Sequence, residues 1–405
     1  ALLPVSVWAN SAAKEAVKTS HFQELVNTTF GQINSFYGPI LMAKVPIIQL
    51  PLIVFVMAAG GVFFTFRYGF INIRMFKHAL KVIRGKYDDP EDEGEITHFQ
   101  ALSSSLSATV GLGNIAGVAV AIGLGGPGAV LWMWVVAFFG MSLKFSSCTV
   151  GQLYRVKDSQ GQTLGGPMVY LDEGLKQLGF RRTGKVFGIF FAIMTILASF
   201  GAGNMFQGNQ TYKIINTQFP GIDPLAVGVT LAFFAGIVLI GGIRRIGEVT
   251  SKLVPLMCVF YIISCLTIIF FNFNEVPAMF GDIIGSAFNP DAAFGGVLGV
   301  MIQGVRRGSF SSEAGLGSAA IAHSAAKTKE PVREGIVGMI GPFIDTHLVC
   351  TMTALAILIT KSNLNPDFEG KGVEMTASAF ANLGSFMPVL LMLAIVVFAY
   401  STVIS

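Results

Sequence analysis

Long apolar runs recur along this chain, near 46–66, 97–123, 127–150, 185–208, 224–242, 252–273, 294–325, 334–360 and 376–405. A helix needs roughly 20 such residues to cross the hydrocarbon core of a bilayer. Within lipid, every backbone N–H and C=O must find its partner inside the protein. Together these demands point to an all-α membrane protein of nine spans. Composition agrees, because only 12% of residues are charged, against roughly 25% in soluble domains. The 47 glycines suit a bundle in which small residues let helix backbones approach.

The distribution of basic residues tests that parsing. Alternate loops at 67–96, 151–184, 243–252 and 326–333 hold 17 lysines and arginines, whereas the opposite loops hold only Lys213, Lys361 and Lys371. The positive-inside rule assigns the first set to the cytoplasm and the N-terminus to the outside. An extracytoplasmic segment is thus expected over 1–45, with ALLPVSVWANSAA resembling a signal-peptide remnant and 21–44 an interfacial helix. The transmembrane domain is expected over 46–405. Because the chain stops within an apolar run, it reads as a fragment lacking its last helices. The basic stretch after the first span, ending in an acidic cluster, reads as a membrane-surface helix rather than a nucleic-acid patch. Cys148, Cys258, Cys265 and Cys350 lie in apolar runs without metal-site or CxxC spacing and read as packing residues.

Two spans are interrupted. The second contains TVGLGNIAG, Thr109 to Gly117, and each glycine costs a helix about 1 kcal/mol relative to alanine. An unwound stretch there must line a protein or water-filled cavity, where half-helix ends can hold a carboxylate and free carbonyls a cation. The alternative is small-residue packing with Asn114 as an interhelical hydrogen bonder. The seventh span carries RRGSFSSEAGLGSA, with Arg306, Arg307 and Glu313 inside an apolar run. Charge at membrane depth implies a cavity, pairing or both. Either arginine with Glu313 reads as an ion pair tying the half-helices. The two interruptions lie five spans apart in opposite orientation, the pattern of an inverted-repeat transporter with its site at their crossing.

Other polar residues fall at similar depth. Asn204 and Gln207 end the fourth span and can reach a cavity; Asn209 and Gln210 read as interfacial. Asp345 and Thr346 interrupt the eighth, either as functional groups or as bonds to a neighbouring helix. Ser401 and Thr402 either back-bond their own helix or offer hard oxygens to a small cation. His323, near the cytoplasmic end, reads as interfacial rather than as a proton relay.

At this point the sequence resembles the alanine or glycine:cation symporters. Their signature runs from paired glycines through Trp-Met-Trp to a closing glycine, matched by GGPGAVLWMWVVAFFG from Gly125 to Gly140, with Leu131 where the family usually has Phe. GEITHFQALSSSLSATVGLGNIAGVA, GNMFQGN and RRGSFSSEAGLGSA resemble its other blocks. The resemblance covers about 46–405. It implies a LeuT-type fold, one leading helix and then five-plus-five inverted repeats. The first repeat would cover about 97–273 and the second would begin near 294, with the last two helices missing. It further implies an inner (plasma) membrane protein that couples Na⁺ entry to uptake of alanine or glycine. Thr109, Gly111, Gly113 and Asn114 would hold the amino acid, with Gln207 and Phe310 lining the same pocket and Phe310 limiting side-chain size. Carbonyls of Ser107, Val110 and Phe398 with the hydroxyls of Ser401 and Thr402 would form a sodium site. Both hydroxyls stand three and four residues after Phe398, so they can face the side of its carbonyl.

The alternatives are a proton-coupled symporter, with Asp345 or Glu313 titrating, a channel, and a membrane-embedded enzyme. The last requires a nucleophile–base pair or metal motif such as HExxH or GxSxG, and neither occurs.

Overall fold

The computed structural model describes residues 28, 31, 32, 35, 43–45 and 50–405, except 90, 160, 290–295, 366–371, 383 and 385. The segment expected over 1–45 therefore lies almost wholly outside the described residues, as does Lys371. The chain divides into two compact units, Ala1–Phe55 and Val56–Ser405. In the first, Lys44 and Pro51 form an isolated antiparallel bridge.

Helices follow one another as α1 (Leu52–Arg67), α2 (Phe76–Ile83), α3 (His98–Thr109), α4 (Leu112–Gly125), α5 (Ala129–Leu153), α6 (Pro167–Gln177), α7 (Arg181–Ala198) and α8 (Phe206–Gln218). The second half comprises α9 (Pro224–Leu239), α10 (Gly242–Phe271), α11 (Val276–Ala287), α12 (Gly296–Ser312), α13 (Ala319–Ser324), α14 (Pro331–Gly338), α15 (Thr351–Ile359), α16 (Gly372–Ala381) and α17 (Met387–Ile404). A two-stranded ribbon, β1 (Val156–Lys157) and β2 (Thr163–Leu164), closes the loop after α5. Starts follow local chemistry. Thr97 and Gln100 form a capping box at α3, and Pro224 and Pro331 open α9 and α14, where a missing N–H costs nothing.

Five helical stretches among the described residues are long and apolar enough to cross a bilayer: Ala129–Leu153, Arg181–Gln218, Gly242–Phe271, Pro331–Ile359 and Met387–Ile404. A sixth crossing is the pair α3–α4, bent by 44°. Shorter apolar helices, α1 and α9, stand where the first and fifth spans were expected. The seventh is divided between α12 and α13. Two long stretches change pitch, through π-helical turns at Ser199–Met205 and Phe343–Cys350; π turns recur at functional positions.

The bundle is built around two contact surfaces. The helix α5 runs between α12, α13 and α14, while α10 packs against α3, α15 and α17. Tyr261 of α10 anchors the second surface: its ring stacks on Phe380 and meets Phe398 edge-on, and its hydroxyl lies 2.7 Å from Thr353 Oγ1. By contrast, Phe190, Leu197, Phe233, Leu256 and Phe270 are exposed on α7, α9 and α10. Apolar surface of that extent is what lipid covers.

The loops hold more structure than their polarity suggested. The helices α6 and α11 lie in segments read as connections, the span expected over 376–405 is divided between α16 and α17, and the fourth span continues to Gln218. Hydropathy misses α6 and α11 because they run only 11 and 12 residues, well short of the roughly 20 that mark a span. Two signature tryptophans tie two spans together: Trp132 donates to Ala287 O of α11 (3.2 Å) and Trp134 to Thr351 Oγ1 of α15 (2.8 Å).

Candidate functional site

The first break is local and sharp. The helix α3 ends as Val110 turns extended (ψ 97°), and Gly111 follows at φ −156° before α4 begins. Any residue tolerates that backbone, so glycine is required here for space. A Cβ on Gly111 would stand 2.8 Å from Thr402 Oγ1.

That close approach brings the last helix onto the break. Thr402 Oγ1 lies 3.1 Å from Ser107 O and 3.1 Å from Phe398 O. Ser401 Oγ donates to Phe398 O (2.8 Å), and Ser107 Oγ donates to Ser401 O (2.6 Å). Four of the five residues expected to coordinate a cation are thus joined directly, although residues 107 and 401 are nearly 300 positions apart. Val110, the fifth, is the buried cap residue of α3 beside them. The donor set is neutral oxygen, suited to a hard monovalent cation.

Asn114 sits at the start of α4 with its polar atoms engaged. Its Oδ1 accepts from Gly111 N (2.9 Å), which braces the break, and its Nδ2 donates to Asp345 Oδ1 (2.6 Å) and Asp345 O (3.1 Å). Asp345 also accepts from Ser311 Oγ (3.0 Å) and Thr346 Oγ1 (2.7 Å). Its carboxylate, fully buried on the π turn of the eighth span, joins the first break, the second break and that span. Asp345 thus makes the bonds to neighbouring helices that one of its two readings expected. Thr109 Oγ1 bonds back to Ser105 O (3.3 Å) and Leu106 O (3.4 Å) in its own helix.

The second break differs from expectation. The structure forms no ion pair between Arg306 or Arg307 and Glu313. Arg307 instead crosses to the first break and donates from Nη2 to Gly113 O (2.7 Å). It passes over Gly117, where a Cβ would overlap the guanidinium at 1.3 Å. Glu313 accepts from Ser318 Oγ (2.5 Å), spanning its own break, and holds φ +49°. Because Glu313 leaves the helix in that left-handed conformation, its side chain departs from the direction of the α12 arginines. Arg306 is exposed.

Gln207 is buried at the start of α8, which packs on α17, whereas Asn204 is exposed and back-bonded to Ser199 O (2.8 Å). Phe310 stands apart from the buried cluster, 63% exposed, with the Arg307 guanidinium over its ring at 5.4 Å. His323, expected at an interface, is completely buried. Two participants were not anticipated. Arg307 reaches the first break, and Lys144 of α5 is buried with no hydrogen-bond partner for Nζ among the described residues. The sequence signal for Lys144 was available, since it is a lone cation in a long apolar span.

The model for the sodium:alanine symporter family matches residues 36–405. The chain belongs to the sodium:alanine symporter family. It is accordingly a cation-coupled amino-acid transporter of the multi-pass membrane class, and its family is one of symporters rather than enzymes. Among relatives, it is 43% identical to the sodium/alanine symporter AgcS of Methanococcus maripaludis, over 95% of this chain and 81% of that protein. It is 36% identical to the probable sodium/glutamine symporter GlnT of Bacillus subtilis, over 87% and 72% of the two chains. A third relative is the putative sodium/proton-dependent alanine carrier protein YrbD of the same organism, 39% identical over 76% and 61%.

Proposed function

We propose that this member of the family couples inward Na⁺ movement to uptake of a small neutral amino acid, alanine or glycine, across the inner membrane. The observation that carries the reading is the meeting of Thr402 Oγ1 with the Ser107 and Phe398 carbonyls beside the broken span. These oxygens, with Ser401 Oγ and the Val110 carbonyl, would hold the ion. Na⁺ there would bridge α3 and α17 and favour one orientation of the bundle. The amino acid would sit at the adjoining break, its carboxylate toward the N-terminal N–H groups of α4 and its ammonium toward carbonyls. Thr109, Gly111, Gly113, Asn114 and Gln207 would line that place, and Phe310 would bound the side chain.

The LeuT-type arrangement belongs to the same proposal. The helix α1 would lead, α3 through α10 would form the first repeat, and the second would begin with α12. The basic loops would face the cytoplasm, and the N-terminal segment over 1–45 would lie outside. A proton-coupled cycle is the second reading, favoured by the fully buried carboxylate of Asp345 and the half-buried one of Glu313 and by the name given to YrbD.

Reciprocal linkage supplies the test. Labelled alanine binding to the purified protein is measured in Na⁺ and in choline at fixed pH. Sodium coupling predicts tighter alanine binding in Na⁺ and tighter Na⁺ binding in alanine. Equal alanine affinity in the two salts removes the sodium reading, and an affinity that follows pH alone establishes the proton one.

A further inference from the structure

The end of the bundle that carries the basic loops is closed by a seam outside the proposed substrate and ion sites. The chain before the first break pairs with the chain after the second: Glu95 N donates to Ala325 O (2.7 Å), Lys327 N to Ile96 O (2.8 Å) and Thr328 N to Glu93 O (3.1 Å). Arg155 staples the seam, giving Nη1 to Ala326 O (2.7 Å) and Nη2 to Thr328 O (2.7 Å) and Glu93 O (2.9 Å). Gln152 Nε2 donates to His323 O (2.5 Å) and Ala326 O (3.1 Å). At the rim, the hydrogen bond from Lys157 holds the Glu93 carboxyl below its ordinary range, and Asp92 raises the Lys329 ammonium.

Beneath this seam lies Glu334 of α14. One carboxylate oxygen meets His98 Nδ1 and the other meets His323 Nδ1 at 2.5 Å. The three side chains are 0–1% exposed, and they come from α3, α13 and α14. Both Nε2 atoms are buried without a hydrogen-bond partner among the described residues.

Few other charges face the cluster. Asp88 Oδ1 stands 3.9 Å from His98 Nε2. Cys148 of α5 and His323 Nε2 both flank Gly338, where an added Cβ would stand 2.6 Å from Cys148 Sγ and 3.6 Å from His323 Nε2; Lys144, one turn earlier in α5, flanks Gly341 likewise. The Arg155 guanidinium is occupied by carbonyls, while Arg333 turns away to Tyr87 O (3.0 Å) and Asp92. Packed α2 buries Ala79 and Val82; its Lys77 and Lys81 are exposed, and His78 rests on the Tyr87 ring.

Proton counting then constrains the cluster. A carboxylate accepting from two Nδ1–H groups leaves neutral imidazoles, a net negative charge and two bare Nε2 lone pairs, all sealed from water. One proton on either Nε2 sets an imidazolium beside the carboxylate and cancels that charge. An uncompensated buried charge is the costlier state. When the seam opens, water reaches the cluster and solvates its charge, so the cancelling proton is no longer needed.

We propose that Glu334, His98 and His323 form a proton-binding latch, in which one bound proton favours the closed seam and its loss favours opening of this end. The ligand is the proton, and the latch sets how readily the gate between the two breaks and the basic loops releases. By linkage, one such proton shifts the closed–open balance by up to about tenfold per pH unit.

Cys148 supplies the readout, because it is buried beside His323 and becomes reachable when the seam opens. The full chain is reconstituted in vesicles, and maleimide labelling of Cys148 is followed by peptide mass spectrometry from pH 6.5 to 8.5. Rates for wild type are divided by those for the double variant His98→Gln/His323→Gln at each pH, which removes both Nε2 sites and cancels titration of the thiol itself. Gln keeps a donor for Glu334 but cannot titrate. The wild-type-to-variant ratio should rise at least about fivefold with pH, half the span that one linked proton allows per unit. A ratio constant across pH overturns the latch. If the double variant does not fold, Glu334→Gln, neutral throughout, serves instead; it should stay closed and lack the wild-type pH response, and retention of that response overturns the proposal. Labelling requires no substrate, so an error about the amino acid or the coupling ion does not touch the result.

Discussion

Gly117→Ala offers a quantitative test of the link between the two breaks. The new Cβ would fall 1.3 Å from Arg307 Nη2, 1.6 Å from Cζ and 1.9 Å from Nε, so the guanidinium must leave its path. Its charge-assisted bond to Gly113 O is then lost, and such bonds contribute about 1.5–3 kcal/mol. Against this, alanine gains about 1 kcal/mol over glycine inside a helix. The expected net destabilisation is therefore about 0.5–2 kcal/mol by these two magnitudes. In an Arg307→Met background the obstruction disappears and only the helix gain remains, so Gly117→Ala should become neutral or stabilising. Denaturant unfolding of the four proteins of this double-mutant cycle in detergent micelles measures both quantities. A Gly117→Ala effect of equal size and sign in both backgrounds would refute the link.

Thr402→Ala removes the hydroxyl between the Ser107 and Phe398 carbonyls; it should raise the Na⁺ concentration for half-maximal alanine uptake more than it changes alanine affinity at saturating Na⁺. Asn114→Leu deprives Asp345 of its Nδ2 donor and Gly111 N of its acceptor, so uptake should fall to background although the protein still reaches the membrane. Transport at wild-type rates would end the assigned role of Asn114. Phe310→Ala should let larger neutral amino acids compete for alanine uptake, and an unchanged competition profile would place the pocket wall elsewhere.

Much of the architecture was legible in the residues because lipid imposes a length and a polarity that few sequences satisfy by chance. The break at Val110–Gly111 was equally legible, since glycine and asparagine at mid-span disfavour a continuous helix. The helices α6 and α11, and the division of the last expected span into α16 and α17, were not, because helices this short leave no apolar run of membrane length. Charge partners were harder still. Arg307 and Glu313 stand six residues apart and invited pairing, but the left-handed turn at Glu313 sends the two side chains different ways. His98 and His323 gave no hint of each other, being separated by 225 positions and joined only through Glu334.

The sequence by itself thus determined a helical membrane bundle with two interrupted spans, and the family to which it belongs. Both follow from one-dimensional pattern, where apolar length and glycine placement act locally. Tertiary structure alone decided what each buried polar group bonds. Ser107 found the Ser401–Thr402 pair, Arg307 found Gly113 and Glu334 found two histidines, because burial forces every polar atom to take whichever partner the packed helices bring within reach.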